Sequence, residues 1–109
     1  MRAMPSSLLL SLGLACGAGA WAQTTPSAAD LAKASGCYSC HANGEKIVGP
    51  AFASIAEKYT GDKDAVASLA QSIQNGSKGK WGRIPMPPHA SLSGAELKTL
   101  AGWVMTVKP

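Results

Sequence analysis

Cys37 and Cys40 stand three positions apart in Gly36-Cys37-Tyr38-Ser39-Cys40-His41-Ala42, and His41 follows the second thiol directly. Two thiols and an imidazole at that spacing suit three chemistries. A C-x-x-C redox pair belongs beside a βαβ pattern, and this chain carries no strand pattern. A structural zinc site needs four ligands, and downstream of the pentad only His89 offers another usual nitrogen or sulfur donor. The third chemistry is covalent haem attachment, for which C-x-x-C-H is a recognised signature. Each residue then has a task. The thiols add across two vinyl groups whose separation roughly matches a two-residue gap at a helix end. His41, carried along by Cys40, becomes an axial ligand without a loop of its own. The pentad favours this third reading.

A hexacoordinate iron needs a second axial ligand, and Met86 is the candidate. It lies in Ile84-Pro85-Met86-Pro87-Pro88, where the prolines restrict φ and lower the entropy lost on ordering the loop. A thioether is soft, favours ferrous iron and raises the reduction potential of a His/Met pair. A lone methionine elsewhere is more often core filler. With His41 and Met86 both bound, no coordination position stays open for oxygen, peroxide or nitrite, and one-electron transfer is expected instead of turnover. The competing reading is a haem enzyme or gas-sensing domain in which Met86 dissociates. Carbon monoxide binding to the ferrous protein separates the two.

The elements that must hold these residues are helical. Ser27 and Asp30 form an acidic capping box opening a helix to about Ser35, which Gly36 ends before the thiols. Turn residues Asn43-Gly44 and Gly49-Pro50 mark residues 42–50 as loop. Phe52, Ile55, Ala56 and Tyr59 share one helical face, and so do Val66, Leu69, Ala70 and Ile73, with Asp64 expected to cap the second helix. Residues 76–91, GSKGKWGRIPMPPHAS, show no periodicity. A loop that long in a small domain is functional or disordered, and Trp81, Ile84 and Met86 speak against disorder. Ser93 and Glu96 form a second capping box, opening a helix with the stripe Leu97, Leu100, Ala101 and Val104. The expected fold class is all-α, about four helices around one long loop.

The first 22 residues read differently. A basic end at Arg2, the apolar run Leu8–Ala15 and Ala20-Trp21-Ala22 have the order of a secretory leader cleaved before Gln23. The run is far short of the ~20 residues that span a bilayer, and no stable membrane insertion is expected. Cys16 matches a lipoprotein site poorly, because Gly13 stands three residues before it. Cleavage leaves residues 23–109 as one domain of 87 residues with net charge +3, since Arg2 leaves with the leader. A domain that size buries a modest core and often recruits a metal or cofactor. The small basic excess excludes the dense cationic stripe of a nucleic-acid binder. Export also places Cys37 and Cys40 in an oxidising space, where unoccupied thiols tend to oxidise.

The stretches GCYSCHA, KIVGPAFASIAEKY, IQNGSKGKWGRIPMPPH and LKTLAGWVM resemble the small class I bacterial cytochromes c of the c-551 (c-8) type, in the family's order and over nearly all of residues 23–109. The resemblance implies a small cytochrome c fold wrapped around one covalently attached haem c, with its iron, held by thioethers from Cys37 and Cys40 and by axial His41 and Met86. It implies that the Pro50 carbonyl accepts from the axial imidazole and that the Trp81 indole meets a haem propionate. It further implies a periplasmic, monomeric electron carrier serving redox protein partners of reductase, oxidase or nitrite reductase type. Those partners would dock at the exposed haem edge, which Ile47, Val48, Ile84 and Pro87 rim and Lys46, Lys78, Lys80 and Arg83 surround. Two positions depart from the pattern. Ser72 stands where relatives often place a propionate-pairing Arg. His89 stands where they tend to carry Asn.

Overall fold

The computed structural model describes residues 27–109 and Gly13. The expected leader, its cleavage point before Gln23, and Cys16 lie outside the described residues. Four α-helices follow in order: α1 Ala28–Ala34, α2 Phe52–Lys58, α3 Ala65–Asn75 and α4 Gly94–Val104, with a short 3-10 helix at Cys37–Ser39. Among the described residues there is no strand, only two isolated bridges, His41 with Lys46 and Ser77 with Met86. The all-α expectation holds.

Local chemistry explains where the helices begin and end. Ser27 and Asp30 complete the first capping box, and Ser93 with Glu96 the second, each side chain satisfying a backbone amide of the other residue. Gly36 follows α1 at φ 81°, a left-handed turn that delivers the chain into the 3-10 helix bearing Cys37. α2 has no side-chain cap. Its first amides, Phe52 and Ala53, donate instead to the carbonyls of Ala42 and Asn43 at 2.9 Å each. The loop that follows His41 is thereby stitched to the start of α2.

Asp64 does not cap α3 with its side chain. Asp64 stands at the N-cap position, but at φ −99° and ψ 7° its backbone is not in the extended conformation from which a capping side chain reaches the first turn; its amide donates to Asp62 Oδ1 at 2.8 Å. The expected face of α3 holds at Leu69, Ala70 and Ile73, which pack in or against the core, and departs only at its first residue. Ala65 and Leu69 are buried while Val66 is 38% exposed. Val66 satisfies the spacing of a helical face, yet its neighbour Ala65 is the one that is buried.

α4 is the hub, packing against α1, α2 and α3. Its expected stripe of Leu97, Leu100, Ala101 and Val104 is buried throughout. Phe52, Ile55, Leu69, Ala101 and Val104 form the core cluster, with Tyr59, Ile73, Trp81 and Trp103 packed partly buried against it. Phe52 meets Trp103 and Tyr38 edge-on at centroid distances of 5.2 and 5.6 Å, the arrangement ring quadrupoles favour.

Leu100, 2% exposed, is the largest fully buried side chain, so Leu100→Ala is expected to cost about 2–5 kcal/mol through lost burial and the cavity left behind. Ser93→Ala, which removes one capping box, is expected to cost about 1 kcal/mol. Guanidinium unfolding midpoints at constant slope measure both.

Candidate cofactor-binding site

His41 is the best-fixed side chain of the candidate set. It is buried, 8% exposed, and its Nδ1 lies 2.7 Å from the carbonyl oxygen of Pro50. A carbonyl only accepts, so Nδ1 carries the proton and Nε2 keeps the lone pair. Phe52 stacks on the ring, centroids 4.9 Å apart and planes 21° from parallel. Gly49 takes the remaining space, because a Cβ there would stand 2.7 Å from His41 Cε1. The Gly49 amide in turn donates to the Cys40 carbonyl at 2.7 Å. Residues 40–50 thus close on themselves around one imidazole.

Cys37 and Cys40 are both free thiols and both half-buried. The Cys37 carbonyl accepts from the amides of Cys40 at 3.2 Å and His41 at 3.0 Å, a single turn that holds the two thiols and the imidazole in fixed relation. Burial pushes the Cys37 thiol up from its ordinary value, against the smaller lowering by a backbone hydrogen bond. Burial disfavours the charged thiolate.

Met86 is half-buried and is positioned by its backbone. Its amide donates to Ser77 at 2.9 Å, and its carbonyl accepts from the Ser77 amide at 3.1 Å. Pro85 and Pro87 have no amide hydrogen to offer, so this pair fixes the tip of the long loop. Gly76 lies beneath it at φ 75°, where a Cβ would stand 2.5 Å from the Met86 carbonyl oxygen. The end of α3 and the loop are in contact that only glycine permits.

These residues converge on one cleft. Cys37, Cys40, His41, Pro50, Trp81 and Met86 all line it, together with apolar side chains that include Phe52, Ile55, Leu69, Leu100 and Val104. The cleft is partly open to solvent and is lined chiefly by apolar groups with a few polar ones, the composition usual for a ligand site. It is continuous with the core, since several of the same side chains form both. Val48, Ile84 and Pro87 line it while remaining exposed, and so mark its mouth.

His89 does not line the cleft. Its backbone amide donates to the Ile73 carbonyl at 2.9 Å and ties the loop to α3. No group of three or more His, Cys, Asp and Glu side chains converges among the described residues, so the fourth ligand that zinc would require is not assembled. The sequence reading missed Phe52 as the stacking partner of His41, and missed Gly49 and Gly76 as spacers. Two of them adjoin marked residues (Gly49 beside Pro50, Phe52 two beyond it), but contact across a turn is not visible in spacing. The reading also missed the bond from Lys80 Nζ to Ser72 Oγ at 2.9 Å, which joins residues eight apart at the edge of the cleft.

Residues 27–108 match the family model for cytochrome c. Cytochrome c-551 of Pseudomonas aeruginosa is 49% identical over 100 residues, covering 92% of both chains. Cytochrome c-552 of Nitrosomonas europaea is 50% identical over 80 residues, 73% of this chain and 78% of that one. The crystal structure of wild-type Nitrosomonas europaea cytochrome c552 superposes with a TM-score of 0.71, covering 73% of this chain and 99% of that one.

Gly76→Ala is expected to destabilise the domain by about 1–3 kcal/mol, because the methyl overlaps the Met86 carbonyl and the left-handed φ is itself strained. Gly44→Ala, with nothing within 4 Å of its Cβ and no positive φ, is expected to stay within about 0.5 kcal/mol of the parent. Paired thermal unfolding curves make the comparison.

Proposed function

The chain belongs to the cytochrome c family, and from that premise we propose that it is exported, loses residues 1–22 and works in the periplasm as a carrier between redox proteins of a respiratory or denitrifying chain. It is a small electron-carrier cytochrome, not an enzyme, and its cofactor is covalently bound haem c. The residues lining the cleft suit that group. Two free thiols, an imidazole nitrogen with its lone pair and a thioether line a single, mostly apolar cleft. When bound, the haem supplies a ferric–ferrous couple that takes and gives one electron.

In this reading Cys37 and Cys40 form the thioether links, and His41 and Met86 are the axial ligands. The observation that carries it is the hydrogen bond from His41 Nδ1 to Pro50 at 2.7 Å. A histidine that donates from one nitrogen to a backbone carbonyl is oriented and made more basic at the other. No core-packing role explains why a buried imidazole is also flanked by two free thiols. The Pro85-Met86-Pro87 tip, fixed by Ser77, limits the loop's freedom to withdraw the thioether, which favours a closed carrier over a ligand-binding sensor. The apolar lining excludes water, and a low-dielectric surround raises the cost of the extra charge on the oxidised centre.

The mouth of the cleft offers a docking surface. Ile84 is 66% exposed, Ile47 49% and Val48 45%, with Lys46, Lys78 and Arg83 exposed nearby in sequence. Small apolar contacts with a charged surround suit transient redox encounters, in which charge chiefly raises the association rate. No helix among the described residues is long and apolar enough to cross a membrane.

The exported protein is expected to weigh the polypeptide from Gln23 onward plus one haem; a mass without the tetrapyrrole would overturn the assignment. Met86→Leu is expected to keep that covalent mass, to bind carbon monoxide in the ferrous state at neutral pH where the parent does not, and to lower the reduction potential by on the order of 0.1 V. Electron exchange with an acidic partner protein should slow as ionic strength rises past about 0.1 M; a flat salt profile would remove the charged ring from the docking surface.

A further inference from the structure

The cleft wall is chemically uneven. Lys80 is its sole lysine or arginine, and the lining contains no aspartate or glutamate. Lys80 is not loose. Its ammonium donates to Ser72 Oγ at 2.9 Å, which uses one of three N–H donors and leaves two. The Ser72 hydroxyl, accepting from Lys80, keeps its own proton to donate. Trp81, next along the chain, lines the same wall and offers a donor-only indole N–H. A second cation reinforces the corner, for Lys58 Nζ stands 4.6 Å over the Trp81 ring. Positive charge and spare donors therefore gather at one part of an otherwise apolar cavity, with no carboxylate of the lining to meet them.

Haem carries two propionates, ionised at neutral pH, and a carboxylate in an apolar cleft must find donors or water. We propose that Lys80, tethered by Ser72 and flanked by Trp81, binds one haem propionate at the rim of the cleft. The inference rests on the haem reading above and adds to it which residue supplies the cationic partner. Ser72 carries no charge of its own, and Lys80, eight residues downstream, uses it as an anchor. An ammonium is a point charge and lacks the two-pronged fork of a guanidinium, so the contact is a single charge-assisted bond, and Lys80 is exposed enough for water to screen it.

The test follows the two propionate carboxyl resonances by NMR against pH in the exported holoprotein, with its covalent mass verified first. A nearby cation favours the ionised carboxyl. Lys80→Gln is therefore expected to move one propionate's ionisation upward, by roughly threefold in its acid constant, an effect of the size that exposed pairs supply, and to leave the other in place. Lys80→Arg should keep the parent value. Ser72→Ala should give a smaller shift of the same sign, because the tether is lost and the charge is not. Lys98→Gln, an exposed position of α4 outside the lining, should shift neither. Unchanged propionates in Lys80→Gln with haem attached, or an equal shift in Lys98→Gln, would overturn the Lys80 assignment and leave the carrier reading intact. A preparation without covalent haem would sink both.

Discussion

The buried hydrogen bond from His41 to the Pro50 carbonyl is the constraint on which the site depends. Its net worth to folding is modest, about 0.5–1.5 kcal/mol, but it selects a tautomer and an orientation at once. Every neighbouring feature of the 40–50 segment serves the same ring. Gly49 leaves room for it, Phe52 covers its face, and the Gly49 amide closes the loop on Cys40. Because the carbonyls of Ala42 and Asn43 take the first amides of α2, the segment also begins a helix that lacks a cap of its own. Moving the imidazole would therefore disturb the start of α2, and through Phe52 the aromatic cluster with Tyr38 and Trp103.

A second segment meets this one with a different device. Residues 76–91 form no helix, so their order comes from three prolines, one reciprocal pair of backbone bonds between Ser77 and Met86, the His89 amide bonded to Ile73 of α3, and a glycine that lets α3 approach. Each removes freedom from the chain before any ligand arrives, which is how a thioether can be presented from a loop without a large entropic cost. The core follows the same logic. Ile55, Leu69, Leu100 and Val104 belong to the packed interior and to the cleft wall alike, so a cofactor seated there completes the hydrophobic centre of a domain too small to build a large one unaided.

Much of this was legible in the sequence, and the exceptions share a physical cause. Capping boxes at Ser27 and Ser93 are local patterns, and the stripe of α4 has only one way to face the rest of a small protein. The pentad at Cys37 and the proline-bracketed Met86 are local too. What escaped depends on backbone conformation or on distance. Asp64 has the residue type of a cap but not the extended backbone that a cap needs, and residue type does not reveal φ and ψ. Val66 and Ala65 are adjacent apolar residues, and only the tertiary arrangement decides which of them is buried. Phe52 against His41, Gly76 beneath Met86 and Lys80 on Ser72 are contacts between segments, set by tertiary approach and invisible to spacing.

Lys80 shows how such a contact changes the meaning of a residue. By composition it was one more lysine in a weakly basic ring, interchangeable with Lys46, Lys78 and Arg83. The bond to Ser72 separates it from them, because a side chain held at a cleft wall has a fixed direction and a free lysine does not. The same bond gives Ser72 a use that its position in the chain does not declare: a short hydroxyl cannot supply charge, yet it can aim a charge supplied by another residue. The pair spans the α3–loop junction, where the fold and not the chain order makes them neighbours.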